Sequence, residues 1–362
     1  MADDLFLNVP LLRRRVPNLT VAARAVGLRP ATVSDLCTGK IPVGRAEVRT
    51  LAALAALAGC ALDELVLRGG TGGLIETGIK VLDLFAPLVR GGTAGFVARQ
   101  NVGQMVLVIE LLRRLRVQHG YFTAVWLPPE PLPAPDELLA EASATAATAD
   151  ELQALIADVR DERDVIIAAD RQTVLSGELF SLRERLQEPG SRPVTLALFD
   201  SRGETPDVEG APYGPLETVW RFDVDLAVRQ LYPAVDPLGS TCVLVEGAQL
   251  EATHLSVAAR ARALLRRYRE LRAVVTVHGL ERFSPADQAK AHRGERLEAF
   301  LTQPFFVVEG FSGRPGVWVS LPETLDGVRR ILDGAADQME ADQLRYGGPL
   351  PTRGGAGRPP SA

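Results

Sequence analysis

Two short runs, Val165–Ala169 and Val194–Phe199, contain no charged residue. A strand with one wet face alternates polar and apolar side chains, whereas a run without that alternation must be covered on both faces. Two such runs, separated by helical segments, predict parallel strands in an α/β core. Gly95–Val97 and Val106–Arg113 read as a further strand, loop and helix. Beyond them, Val257, Ala261, Leu264, Leu265, Tyr268 and Leu271 recur at three- and four-residue spacing, so 255–301 is predicted to be helical.

The first 70 residues follow another pattern. They hold nine Lys/Arg and six Asp/Glu, while the remaining 292 hold 31 and 39. A short basic module therefore precedes a longer acidic one, joined at the glycine-rich 69–74. Helices are predicted over Val9–Arg15, from an Asn18 or Thr20 cap to Val26, from Pro30 to Thr38, over Arg45–Ala58 and over Ala61–Val66. Gly27, Gly39 and Gly59 are placed to end three of them, because glycine takes the left-handed cap at little cost.

Residues 19–36 (LTVAARAVGLRPATVSDL) resemble the helix-turn-helix of the phage-repressor/Cro-like family over about 50 residues. Ala23 permits close packing, Gly27 makes the turn, and Val33 and Leu36 face the core. The resemblance implies DNA binding, with Arg29, Thr32 and Ser34 on the outer face of the recognition helix and Lys40 at the phosphates. The alternative is a helical adaptor that binds protein. A module of net charge +3 gains little from phosphate neutralisation, so DNA binding would call for an oligomer.

The longer module carries a second resemblance. Residues 76–87 (ETGIKVLDLFAP), 231–241 (LYPAVDPLGST), 267–271 (RYREL), 300–313 (FLTQPFFVVEGFSG), 320–324 (SLPET) and 331–334 (ILDG) follow one another as in the catalytic beta subunit of the rotary ATP synthase. The likeness covers about 75–340. It implies an α/β, RecA-like P-loop NTPase core with a C-terminal helical domain, here preceded by a small all-α helix-turn-helix domain. The expected division is 1–68, a linker 69–74, a nucleotide-binding domain 75–240 with a Pro/Ala-rich insertion at 128–150, a helical domain 241–343, and a disordered tail 344–362.

That resemblance puts the phosphate loop on 98–105 (ARQNVGQM). A working loop needs glycines so that backbone N–H groups can cradle phosphates, a lysine for the β/γ oxygens and a hydroxyl on magnesium. Here only Gly103 remains of the glycines, Gln104 stands at the lysine position and Met105 at the hydroxyl position. Arg99 offers a substitute charge from a different point of the loop. Direct counting puts Pro129 at the place of the catalytic glutamate, one residue before Glu130. Asp170 matches the magnesium-associated acid, or serves as a helix cap or ion-pair partner. Tyr232, Phe305 and Phe311 fall on the aromatic positions around the base, or are plain core. The acidic lever motif is reduced to 279–287 (GLERFSPAD).

Of 40 basic residues only Lys40, Lys80 and Lys290 are lysines, and none lies where phosphoryl transfer requires one. No catalytic residue and no metal site is therefore expected. ATP or ADP remains the candidate occupant of the module. Three dispersed cysteines argue against a disulfide framework or a zinc site. No secretory pattern and no 18-residue apolar run occurs, so a cytoplasmic protein without membrane insertion is expected. The leading expectation is a DNA-binding regulator carrying an inactive ATP-synthase-beta-like module for nucleotide binding or oligomerisation. The alternative is a non-catalytic, ATP-binding subunit of a divergent ATP synthase-like assembly. Expected partners are DNA, further copies of the chain, or an ATPase subunit.

Overall fold

The computed structural model describes residues 5–16, 18–37, 40–68, 73–128, 130–132, 135–186, 192–203, 213, 216–247, 249–278 and 283–351.

The N-terminal module is a cluster of short helices closed by a two-stranded pair. Strand β1 (Leu5–Leu7) leads into α1 (Val9–Arg15), α2 (Leu19–Ala25), α3 (Pro30–Cys37), α4 (Val48–Ala58) and α5 (Leu62–Leu65), and the chain returns along β2 (Val66–Arg68), antiparallel to β1. The expected fifth helix is thus shorter, and its last residue belongs to a strand. Asn8 caps α1 by accepting from Leu11 N, and its amide donates to Glu64 O at 3.1 Å, tying the two ends of the module together. Asn18 caps α2 through Val21 N. Gly27 and Gly59 have φ of 75° and 58°, the left-handed turns expected of them. Gly39 lies outside the described residues. The module has its own core, in which Ala23, Val33, Leu36 and Leu54 are buried.

The larger module is built on one seven-stranded sheet. After the short pair β3 (Leu74–Ile75) and β4 (Leu88–Val89), which flanks α6 (Lys80–Phe85), come β5 (Thr93–Val97), α7 (Gln104–His119) and β6 (Phe122–Trp126). Then follow α8 (Pro135–Glu141), β7 (Ala144–Ala146), α9 (Ala149–Ala157), β8 (Val165–Asp170), α10 (Arg171–Leu175), α11 (Glu178–Leu186), β9 (Val194–Phe199), β10 (Thr218–Arg221), α12 (Val224–Val228) and β11 (Thr241–Cys242). The strand order is β11-β10-β5-β9-β8-β6-β7, parallel except for β11. All six residues of β8 and five of the six in β9 are buried, as unalternating runs require. Separate apolar cores fill the two faces of the sheet. The Pro/Ala-rich stretch 128–150 contributes α8 and the edge strand β7, which pairs with β6.

The rest is helical: α13 (Val243–Glu246), α14 (Ala252–His278), α15 (Pro285–Leu301), α16 (Glu309–Ser312) and α17 (Leu321–Leu332). The residues β11 takes from the expected helical domain belong to the sheet. Four of the nine lever-motif positions, 279–282, lie outside the described residues, as do 69–72 of the joint.

Residues 344–351 are packed rather than a free tail. Leu350 is buried, Arg330 donates to Leu350 O, and the buried Lys80 Nζ donates to Gly347 O at 2.8 Å while lying 4.4 Å from the centre of the Phe300 ring. Residues 352–362 lie outside the described residues. Burial pulls the Lys80 amine down to about 7. At Lys80 the folded state then binds fewer protons than the unfolded state between about pH 7 and about pH 10, so this group makes stability rise with pH, opposed above about pH 9 by the Cys242 thiol, which burial pushes up to about 11. Denaturant titrations from pH 7 to 9 are expected to show this rise, and Lys80→Met is expected to flatten it.

Candidate functional site

The strand-loop-helix unit at the centre of the sheet sets the geometry. Strand β5 ends at Val97, residues 98–103 turn, and α7 begins at Gln104. Gly103 has φ of 90°, and a Cβ there would lie 3.4 Å from the Tyr232 ring. The positive φ calls for glycine at this position, whereas the contact with Tyr232 would be an ordinary one.

Gln104 is 6% exposed. Its Nε2 donates to Asp200 O, and its Oε1 has no hydrogen-bond partner among the described residues. Asp200 opens a tight turn after β9. Its Oδ1 accepts from Arg202 N and Gly203 N, both at 3.1 Å. Gln100 Nε2 donates to Arg202 O. Gly203 has φ of 61°, and a Cβ on it would sit 2.5 Å from Gln100 N and 2.8 Å from the Arg99 carbonyl carbon. The 200–203 turn is therefore pressed onto the loop backbone where a phosphate loop would present its N–H groups.

Beside this turn opens a cleft of ≈ 1250 Å³. It brings together Arg99, Gly103, Gln104, Met105, Tyr232 and Phe305, with Phe311 at its edge. Phe305 is buried, Met105 and Tyr232 are half-buried, and Arg99 is exposed. Phe311 is 96% exposed, so it stands at the mouth rather than around a base. Arg314 lies 4.8 Å over the Tyr346 ring on the same rim. Asn101, Gln230 and Tyr346 have φ of 63°, 55° and 54°; they are the non-glycine residues with positive φ among the described residues, and all three line the cleft. Backbone strain of this kind persists where surrounding structure over-determines it and gathers at functional sites.

Asp170 is not among the cleft residues. It is buried, its Oδ1 accepts from Gln172 N to cap α10, and its Oδ2 accepts from Ser201 N at 2.9 Å. Both oxygens thus hold backbone groups, the helix-cap alternative. Glu130 forms an ion pair with Arg202, on the turn that covers the loop. Pro129 lies outside the described residues.

Below the cleft, α7 is locked to the helical region by a buried ion pair. Arg114 Nε donates to Glu110 Oε1 at 2.6 Å, and both side chains have no exposed surface. Arg114 also donates to Gly78 O and Val317 O, at 2.9 and 2.8 Å. Glu110 accepts from Phe306 N and Val307 N, at 3.1 and 3.0 Å. Gln303 accepts from Lys80 N and donates to Gly78 O and Val317 O. Asp83 accepts from Thr77 N, Thr77 Oγ1 and Gly78 N; burial pushes its carboxyl up to about 7. Burial also lowers the Arg114 guanidinium, which the adjoining Glu110 carboxylate opposes. Sequence reasoning missed Glu110, Arg114, Asp200 and Gln303. The signals available were charged residues inside an otherwise apolar helix and a Gln within the 300–313 motif.

In the N-terminal module, Arg29 and Ser34 are exposed and Thr32 is half-buried. Lys40 lies 3.8 Å from Asp35.

Comparison with known proteins bears on the larger module. Residues 246–340 match the C-terminal domain of V and A type ATP synthase. A solved structure described as that of a unique ATP synthase subunit, NeqB from Nanoarcheaum equitans, is similar with a TM-score of 0.56. The match covers 74% of this chain and 79% of that one, at 17% identity. The fold is ATP synthase-like. Among the described residues, no helix is long and apolar enough to cross a membrane.

A magnesium–triphosphate, the ligand such a fold implies, does not fit the residues present. The amide nitrogen of Gln104 is turned to Asp200 O, Met105 supplies a thioether, both oxygens of Asp170 are engaged, and the 200–203 turn lies on the loop.

Removing one partner of a buried, hydrogen-bonded pair costs about 3–5 kcal/mol. Arg114→Met is expected to lower unfolding free energy by about that much, measured by denaturant titration. A loss below about 1 kcal/mol, the range of exposed ion pairs, would contradict the role given to the pair.

Proposed function

We propose that the chain is a non-catalytic subunit of an ATP synthase-like assembly. The observation that carries this reading is the state of the loop before α7. The strand-loop-helix frame and the helical region are kept, while the positions that would neutralise a phosphate and hold magnesium carry Gln104 and Met105. Assemblies of this kind pair such subunits with catalytic ones, and the chemistry is then supplied by a neighbour. The match over 246–340 supports this reading more than gene regulation, which reverses the order expected from the sequence.

The reading is tested by isolating the full chain from its own cells under low-salt conditions and identifying co-purifying chains. A stoichiometric partner with an intact phosphate-loop lysine is the expected result. A chain that sediments only as a monomer at cellular concentration would contradict it.

DNA binding by the N-terminal helices is the second reading. The exposed Arg29 and Ser34 on α3 favour it. The Asp35 carboxylate beside Lys40 weakens it by reducing the positive charge that a phosphate backbone would meet. Fluorescence anisotropy with genomic fragments separates the two readings. Binding that weakens with salt and is lost on Arg29→Glu would support DNA contact, and salt-insensitive or absent binding would remove it.

A further inference from the structure

Residues 344–351 form one wall of the cleft, and Tyr346 is the residue that lines it. The Tyr346 hydroxyl donates to Gln230 O and accepts from Tyr232 N at 3.4 Å. The Tyr346 N–H donates to Thr302 Oγ1 at 2.6 Å. One side chain thus ties the stretch after α12 to the end of the described chain. Gln230 and Tyr346, joined by that hydroxyl, both hold left-handed backbone. This conformation costs free energy in a residue with a Cβ, and the bond between the two helps to offset it.

The same ring covers a cation. The Arg314 guanidinium lies 4.8 Å from the ring centre, and Arg314 lines the cleft together with Arg99. A ligand that meets Arg314, Gln230 O or Tyr232 N must therefore displace Tyr346. The surrounding chain suits such a movement. Tyr346 stands between two buried anchors, Leu344 and Leu350, and Gly347 and Gly348 follow it. Glycine takes up backbone rotation at little steric cost. Lys80 holds Gly347 O, and Arg330 holds Leu350 O and Pro351 O, so the anchored end stays in place when the ring swings.

We propose that Tyr346 is a built-in gate of the cleft. Closed, it occupies Gln230 O and Tyr232 N and covers Arg314. Open, it releases these groups to an aromatic anion, whose charge meets Arg314 and whose ring meets the side chains of Tyr232 and Phe305. The gate concerns regulation of the cleft and stands whether or not the chain joins an assembly. Ligand and closed gate exclude each other, so each weakens the other by the same factor.

The probe is 8-anilinonaphthalene-1-sulfonate, an aromatic anion, titrated into the full chain by fluorescence. Tyr346→Gly removes the ring and suits the left-handed backbone. Tyr346→Phe keeps the ring and removes both hydroxyl bonds, and it carries the test alone if the glycine variant does not fold. A gate open about a tenth of the time lowers apparent affinity about tenfold, so Tyr346→Gly is expected to bind about tenfold more tightly than the unaltered chain, with Tyr346→Phe in between. Adding Arg314→Gln to Tyr346→Gly is expected to remove the gain. In the unaltered chain, saturating probe is expected to speed hydrogen exchange at the Tyr232 and Tyr346 amides. Affinity that is equal or lower in both Tyr346 variants would overturn the proposal. So would binding by none of the proteins, or slower exchange at both amides with probe bound.

Discussion

The ion pair of Glu110 and Arg114 holds the larger module together. Two charges without exposed surface are costly to bury, and this pair is tolerable because each partner also binds backbone of another segment. Arg114 reaches the chain before α6 and the stretch before α17, and Glu110 reaches the stretch after α15. The helix that begins at the loop is thereby fixed to the helical region at one side. Gln303 holds both the chain before α6 and the stretch before α17, and Asp83 holds the first of these.

In the proposed reading, this arrangement lets the scaffold stand without phosphoryl chemistry. The contacts that set the position of α7 lie in its interior turns, whereas the groups that would touch a phosphate lie at its first two residues. Gln104 and Met105 can therefore differ from a working loop without disturbing the packing. Gln104 turns its amide to Asp200, and the turn that follows β9 closes over the loop backbone. Beside that closure the cleft remains, with aromatic and apolar walls that need no charge to be useful.

Much of the frame was legible from residue pattern. Unalternating runs gave β8 and β9, and glycine or asparagine at helix ends placed several N-terminal elements within a residue or two. The cleft residues were legible as a set through motif order, since Gly103, Tyr232 and Phe305 do meet there. What the chain did not disclose was made by contacts distant in sequence. Lys80 with Gly347 turns an apparent tail into packed structure, and β7 joins the sheet because β6 offers it an edge. Asp170 holds the start of α10 and the chain after β9, a role visible only once both are placed. Phe311 shares its motif with Phe305, yet one is at the mouth and the other is buried. Periodicity carries no signal for that difference.

On the reading proposed above, an ATP synthase-like module keeps its frame without phosphoryl transfer. Release of inorganic phosphate from magnesium–ATP by the purified full chain tests this most directly. The expected result is a rate equal to that of buffer alone. Sustained turnover that disappears in Gln104→Ala, at unchanged thermal stability, would contradict the account.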